Sequence, residues 1–270
     1  MGGVTATDPI DLSIQLFRES WRLMFADRPG ASAGTGGGVD YVFSGLPVPF
    51  FNLAFVTSRG DSADALQARA RAACEWAVDK QVPWLLLVTH EALQSGVEPA
   101  AALGGGGLVP MLPLTGMIAR RVAPGRAVPR GLQLQVPEDD AGCAAMLDVN
   151  GAAYGMSLDA AKPALGRHAF WAYHTPAIGL IAAKPVCSAA VIMASGYRYV
   201  ALVATEPRYQ KRGYGEAVMR HALDAAVQSH GDKPTFLHAT DAGRPIYARM
   251  GYETVSTHTV FIDKKFLDSH

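Results

Sequence analysis

The string Gln210-Lys211-Arg212-Gly213-Tyr214-Gly215 is the part of this sequence best suited to chemistry. It follows an apolar run ending in Ala204-Thr205-Glu206-Pro207 and precedes a stretch with helical spacing, so it joins a strand to a helix. The first backbone N–H groups of a helix have no partner inside it, and the helix dipole adds positive charge at that end. Such a start is an anion site. Gly213 and Gly215 permit close backbone approach and left-handed dihedrals, while Lys211 and Arg212 add charge suited to a diphosphate, as Arg208 can from the rim. The phosphate loop G-x-x-x-x-G-K-[ST] and the dinucleotide fingerprint G-x-G-x-x-G are both missing, which disfavours a nucleotide-binding protein. A glycine-tightened turn carrying surface cations is the bland alternative.

Two further features lie downstream. Tyr247 stands four residues before Gly251 in a short helical stretch, and a phenol with an ordinary pKa near about 10 stays protonated at neutral pH and can hand a proton to a leaving group. A core aromatic with an ordinary hydroxyl partner is the competing role. The segment Thr240-Asp241-Ala242-Gly243-Arg244 leads into that helix, and Thr240 or Asp241 can cap it.

The elements that must position these groups follow from periodicity. Pro9 to Ala26 has apolar Ile10, Ile14, Phe17, Trp21, Met24 and Phe25 at helical spacing, with Asp8 as cap. Ala31 to Gly38 is expected to be a mobile small-residue loop. A strand (Phe51 to Thr57), a helix (about Ser62 to Lys80) and a buried strand (Pro83 to Thr89) imply a crossover with parallel strands, and Met111 to Val122 could supply the last strands of this half. A Pro-, Gly- and Arg-rich stretch at Val122 to Gly131 places a domain boundary near 129, dividing the chain into 1-128 and 129-270. Beyond it come a strand at Leu132 to Val136 and a helix from Pro137 to about Tyr154. Three strands, Ala177 to Ala182, Val186 to Ala194 and Tyr197 to Thr205, then form an antiparallel meander jointed at Lys184-Pro185 and Ser195-Gly196. A helix (about Gly215 to Gln228), a strand (Pro234 to Ala239), a short helix (about Gly243 to Met250) and a strand (Tyr252 to Asp263) complete the chain.

Gln-x-x-Gly-x-Gly after Val200-Ala-Leu-Val-Ala-Thr205, preceded by a meander and followed by Ile246-Tyr247-Ala-Arg-Met-Gly251-Tyr252, resembles the GNAT superfamily of acyl-CoA-dependent N-acyltransferases over roughly residues 131 to 265. The resemblance implies a mixed α/β fold with a mostly antiparallel central sheet flanked by helices, and acetyl-CoA or coenzyme A as co-substrate. It assigns the pyrophosphate to Gln210, Lys211, Arg212, Gly213, Tyr214 and Gly215. The strand before the loop splays from its neighbour in that family, which gives the pantetheine arm to Leu202, Val203, Ala204 and Thr205, with the Val203 backbone polarising the thioester carbonyl. It also puts Thr240 and Gly243 beside the cofactor and makes Tyr247 the proton donor to the departing thiolate. Family members commonly draw a base from a meander strand, but Val186 to Ala194 has no Asp or Glu; Glu206, Asp241, His238, His174 and Tyr173 remain, unranked by spacing. The first half looks like a degenerate repeat, so two such domains are expected in tandem. Ser58 to Ser62 leaves too few residues for a pyrophosphate loop, and this half is expected to wall the acceptor pocket.

Composition narrows the partners. An apolar fraction of 49%, a charged fraction of 18% and 24 basic against 24 acidic residues describe a globular chain without a call for polyanions, and the Arg120, Arg121, Arg126 and Arg130 stretch, broken by prolines and glycine, is expected to be a solvated linker, not a nucleic-acid stripe. Cys74, Cys143 and Cys187 form no C-x-x-C pair, so neither a disulfide framework nor a metal site is expected. With no leader pattern, no run of about 18 apolar residues, and Ala6 where myristoylation of Gly2 wants Ser or Thr, a cytoplasmic protein that engages no membrane is expected. The expected acceptor is an amine of a small molecule or peptide, and the expected state a monomer or homodimer. A CoA-binding regulatory module without turnover is the alternative.

Overall fold

The structure is a computed structural model and describes residues 7–269, so the Gly2 and Ala6 reading lies outside the described residues. In chain order the elements are α1 (Pro9–Phe25), β1 (Ser32–Gly36), β2 (Val39–Phe43), β3 (Asn52–Val56), α2 (Ala63–Ala77), β4 (Leu85–Thr89), α3 (Pro99–Leu103), β5 (Leu108–Ala119) and β6 (Gln133–Gln135). They continue with α4 (Asp140–Tyr154), α5 (Lys162–Leu165), β7 (His174–Ile181), β8 (Lys184–Ala194), β9 (Tyr197–Thr205), α6 (Tyr214–His230), β10 (Thr235–Ala239), α7 (Arg244–Arg249) and β11 (Glu253–Asp263). The chain forms two compact units that are not contiguous stretches. Unit 1 takes the chain up to Met117, His238–Arg244 and everything from Glu253; unit 2 takes Ile118–Leu237 and Pro245–Tyr252.

In unit 1 the strand neighbours run β1-β2-β3-β4-β11-β5. β3 and β4 pair in parallel with Leu53 opposite Leu85, as the predicted strand–helix–strand crossover requires, and β11 pairs antiparallel with β4, Phe261 opposite Leu86. Asp8 caps α1 by accepting from the Ile10 and Asp11 N–H groups, and Ser62 caps α2 by accepting from Ala65. The buried face of α2 is Leu66, Ala70, Ala73 and Ala77, packed on Phe43, Trp84, Leu86 and Phe261. Burying Leu66, Phe43, Leu86 or Phe261 contributes about 1.5–3 kcal/mol each, and each alanine methyl about 0.8 kcal/mol.

In unit 2 the order is β10-β9-β8-β7-β6, antiparallel except for the parallel β10–β9 pair. Val186 to Ile192 of β8 is buried throughout, although its side chains alternate between faces, because α4 and α6 both pack against this strand. The hairpin between β8 and β9 turns at Ser195-Gly196, both at positive φ, as expected.

Three expectations change. Ala31 to Gly38 is not a mobile loop: Ser32–Gly36 is a strand paired with β2, from Ser32 opposite Phe43 to Gly36 opposite Val39, and its small residues hid an edge strand whose order comes from that ladder. The first meander joint is Ala182-Ala183, at φ 48° and 63°, not Lys184-Pro185, which already belongs to β8; two alanines in left-handed positions carry no turn signal. The arginine stretch is not wholly solvated, since Ala123 donates to the Met250 carbonyl at 2.8 Å and accepts from Arg220 Nη1 at 2.7 Å.

Candidate acyl-CoA site

The site in unit 2 begins with a bulge in β9. Ser188 lies opposite Ala204 and Ala190 opposite Ala201, so Leu202 and Val203 together face the single residue Ala189. Leu202 sits at φ 53°, a strained position for a branched side chain. Its carbonyl is held by Asn150 Nδ2 and Ser188 Oγ, each at 3.3 Å, while the Val203 carbonyl accepts from the Tyr154 hydroxyl at 3.1 Å. Asn150 and Tyr154, four residues apart on α4, thus fasten the bulge from one helix face. The parallel pairing of β9 with β10 ends at Val200 opposite Leu237, before the bulge, leaving Leu202, Val203, Ala204 and Thr205 beyond the paired segment.

The chain then passes through a short turn, Pro207–Tyr209, to the loop. Gln210 Nε2 donates back to the Thr205 carbonyl at 3.2 Å, and Arg212 Nη2 donates to the Arg208 carbonyl at 3.3 Å, so two loop side chains brace the backbone. Lys211 and Gly213 lie at φ 62° and 82°, the second a position where only glycine is unstrained. Gly213 is the N-cap of α6, and no side chain caps that helix. Its first-turn N–H groups are therefore open to an incoming anion. A Cβ on Gly215 would come within 3.1 Å of Thr205 Oγ1, so that glycine lets the helix start close against the strand end. Glu216, the one acidic residue of the first turn, is neutralised by Arg220 Nη2 at 2.9 Å.

Tyr247 lies on α7, with its ring 6.1 Å from that of Tyr252. Burial, followed by the neighbouring Tyr154 and Tyr252 hydroxyls, pushes its pKa well above the ordinary phenol value, which keeps it protonated across the physiological range. Tyr252 itself is committed to Thr235 Oγ1 at 2.8 Å. Described within unit 1, Thr240 caps the turn into α7, its carbonyl accepting from Gly243 and Arg244 at 3.0 and 2.9 Å and its Oγ1 from Gly243 at 3.4 Å, while Asp241 stays exposed.

The base candidates separate. Glu206 is buried and ion-paired to both Lys184, at 3.1 Å, and Arg208. His174 opens β7 with Nδ1 buried and unpartnered; burial lowers its pKa, and it feels the charge of His230, at the C-terminal end of α6 and about 25 Å along that helix from the loop. Tyr173 beside it is 79% exposed. His238 belongs to unit 1, where its Nε2 lies 3.0 Å from Ser13 Oγ and its ring stacks on Phe17. Asn150, Ser188 and Tyr154 are the site-shaping residues that sequence reasoning missed; the i, i+4 spacing of the first and last was the available signal.

A separate cavity of about 600 Å³ in unit 2, lined by Arg121, Arg126, Arg198, Arg220 and His221 among others, includes none of the residues Gln210 to Gly215. Among the described residues there is no group of three or more His, Cys, Asp or Glu placed to hold a metal, and the three cysteines are free. No helix among them is long and apolar enough to cross a membrane.

Residues 173–267, which span the bulge, the open helix start and Tyr247, match the family model of the acetyltransferase (GNAT) domain. The fold likeness extends further: a GCN5-related N-acetyltransferase from Kribbella flavida superposes with a TM-score of 0.70 at 17% identity, covering 96% of each chain. A counterpart from Sphaerobacter thermophilus gives 0.57 at 14% identity over 95% of this chain and 93% of that one. A tandem GNAT protein from the clavulanic acid biosynthesis pathway gives 0.54 at 12% identity, covering 94% and 93%. At such identities these likenesses establish the fold alone, and they bear out the expected mixed α/β class, a mostly antiparallel sheet flanked by helices with two such folds in tandem. No curated protein sequence matches the chain.

Proposed function

We propose that this protein is an acyl-CoA-dependent N-acyltransferase that moves acetyl from acetyl-CoA to an amine of a small molecule or peptide by direct attack. The observation that carries the reading is the pairing of a side-chain-free helix start at Gly213 with a bulged strand at Leu202 and Val203 immediately before it. The GNAT match makes acetyl transfer the family chemistry. In this scheme the α6 N–H groups, Lys211 and Arg212 hold the diphosphate, and the strand beyond Val200 lies along the pantetheine arm. The Val203 N–H faces the thioester oxygen as charge develops there. The neutral amine attacks the carbonyl carbon, the C–S bond breaks, and Tyr247 supplies the proton that sulfur takes. The phenolate recovers a proton from the ammonium formed on the acceptor. The repeat boundary is taken at residues 128/129, and one cofactor binds per chain.

Calorimetry with acetyl-CoA, and release of free thiol across small metabolite amines, aminoglycosides and peptide N-termini, tests this reading. Binding with turnover of at least one amine is expected, and Tyr247→Phe is expected to lower kcat about a hundredfold or more. An unchanged kcat removes Tyr247 from the chemistry. One observation favours a second reading, a CoA-binding regulatory module: β7, β8 and β9 carry no Asp or Glu, and the adjacent Glu206 is fully ion-paired. Binding without thiol release from any amine selects it.

A further inference from the structure

The cavity in unit 2 has walls of two kinds. One is a face of α6: Ala217, Arg220, His221, Asp224 and Val227 recur at three- and four-residue spacing and run about 15 Å along the helix. The other is the segment Arg121 to Val128, which passes against that face and is tied down there. The Ala123 N–H donates to the Met250 carbonyl at 2.8 Å, and the Ala123 carbonyl accepts from Arg220 Nη1 at 2.7 Å. Residue 125 is glycine where a Cβ would stand 2.7 Å from Arg220 Nε, so the chain can lie close over that guanidinium. At about 600 Å³ the space is of the size that takes small organic ligands.

Four arginines and two aspartates line the cavity, and half of these charges are already engaged. Arg198, buried, donates to Asp232 at 2.8 Å and to the Lys233 and Leu223 carbonyls. Arg220 gives Nε and Nη2 to Glu216, at 3.0 and 2.9 Å, and Nη1 to Ala123. Arg121 and Arg126 are exposed and stand outside both ion pairs, with Asp224 the one lining carboxylate left to set against them. His221 adds no standing charge at neutral pH, because burial lowers its pKa although Asp224 opposes the shift. The lining therefore keeps a positive surplus on two guanidiniums whose donors are not engaged among the described residues. Much of the remaining lining is apolar, including Leu134, Leu223, Val227 and Val128, the last 56% exposed.

We propose that this cavity is a binding site of its own for a small organic anion: a carboxylate or phosphate group that meets Arg121 and Arg126, on an aromatic or aliphatic body that packs on Val128, Leu134 and Val227. Guanidinium forks suit both kinds of group, since each presents paired oxygens to parallel N–H donors. Arg198 and Arg220, with their donors already used, serve as walls and not as ligands. Asp224 opposes the anion, so the site can be tested by charge changes of either sign. The proposal stands apart from the acyl-transfer reading, because none of Gln210 to Gly215 lines the cavity.

Titration of the ¹⁵N-labelled full chain with benzoate and with phenyl phosphate, followed by backbone amide shifts, tests the site. Saturable shifts are expected at residues 121–128 and on the α6 face from Ala217 to Val227. Benzyl alcohol and benzylamine share the ring without the negative charge and should bind about tenfold more weakly. Arg121→Ala with Arg126→Ala should weaken the tighter of the two anions about tenfold at low salt and less at high salt, and both positions are exposed, so the fold is not at stake. Asp224→Asn should tighten it about threefold. A helix start also attracts anions, so the titration is repeated with coenzyme A in excess, and the shifts at 121–128 should persist. Their loss would make the cavity an extension of a coenzyme A site and overturns the proposal. So do benzylamine binding as tightly as benzoate, an affinity unchanged by loss of both arginines, weakening by Asp224→Asn, or the lack of saturable shifts at 121–128 with either anion.

Discussion

The start of α2 in unit 1 and the start of α6 in unit 2 each follow a parallel-paired strand, yet the two helix starts are finished in opposite ways. The N-cap of α2 is Ser62, whose hydroxyl accepts from the Ala65 N–H, and the residue before it is Asp61, buried and held by Arg69 Nε at 3.3 Å. That helix start already contains its own hydroxyl and carboxylate. At the matching positions α6 has Gly213 as a bare N-cap and Arg212 before it. The connection is also longer: eight residues, 206 to 213, lie between β9 and α6, against six, 57 to 62, between β3 and α2. The preceding strands differ too, since β3 pairs with β2 residue for residue from Asn52 to Val56 while β9 is bulged at Leu202 and Val203. One strand–helix unit is closed by its own side chains and the other is left open. On the proposed function, the α6 anion site is made as much by what is withheld at the N-cap as by the cations placed near it.

The sharpest way to break this comparison is to give α6 what α2 has. Gly213→Asp puts a carboxylate at the bare cap, and aspartate tolerates a left-handed residue better than most side chains. Acetyl-CoA affinity, measured by calorimetry, should fall about a hundredfold through like-charge repulsion and occupation of the donors. Gly213→Asn has the same shape without the charge and should lose about tenfold or less. Equal losses would mean that strain at φ 82°, not charge, governs the site. Next in size, Lys211→Ala with Arg212→Ala should weaken acetyl-CoA binding about tenfold at low salt and less at high salt, since both side chains are exposed. A loss that does not shrink with added salt would show that these residues shape the loop instead.

Much of this contrast was legible in the sequence. Gly213, Gly215 and the basic pair are local features, and the shortness of Ser58 to Ser62 could be counted directly. Most element types followed from apolar periodicity and capping residues such as Asp8 and Ser62, because those signals act within a few residues. What stayed hidden depends on distant partners. The bulge is fastened by Asn150 and Tyr154 on another helix, β1 is ordered only by its ladder to β2, and β11 packs against β4 across more than a hundred and sixty residues of chain. In unit 1 a buried polar chain that runs from Thr89 through His258, Ser256 and Ser13 to His238 likewise draws on residues from β4, β11, α1 and β10, and no spacing rule gathers them.

That polar interior gives unit 1 a second way to differ. His258 has its pKa lowered to about 3, and His238 is shifted in the same direction by burial and by His258. An unfolded histidine titrates near about 6.5. Below that pH the unfolded chain takes up protons that the folded protein refuses, so stability falls as pH drops from about 6.5 toward 3 and is fully present above 6.5. His258→Asn should remove one proton's worth of this slope, about 1.4 kcal/mol per pH unit in that window, in urea melts at pH 7, 6 and 5. An unaltered slope would mean that His258 charges without cost in the folded state, and the buried chain around it would then not be intact.

The smallest effect concerns the closed end itself. Ser62→Ala removes the hydroxyl that accepts from the Ala65 N–H, and loss of such a cap costs about 1 kcal/mol of stability. Acetyl-CoA affinity should not change, because the Asp61 carboxylate, held by Arg69, still stands at that helix start and repels a diphosphate. Adding Asp61→Asn to Ser62→Ala removes the charge and the cap together, yet the connection from β3 stays two residues shorter than its counterpart. If that double variant bound a second equivalent of acetyl-CoA, side-chain chemistry alone would distinguish the two starts. A stoichiometry that stays at one assigns the remaining difference to loop length and to the bulge that only β9 carries.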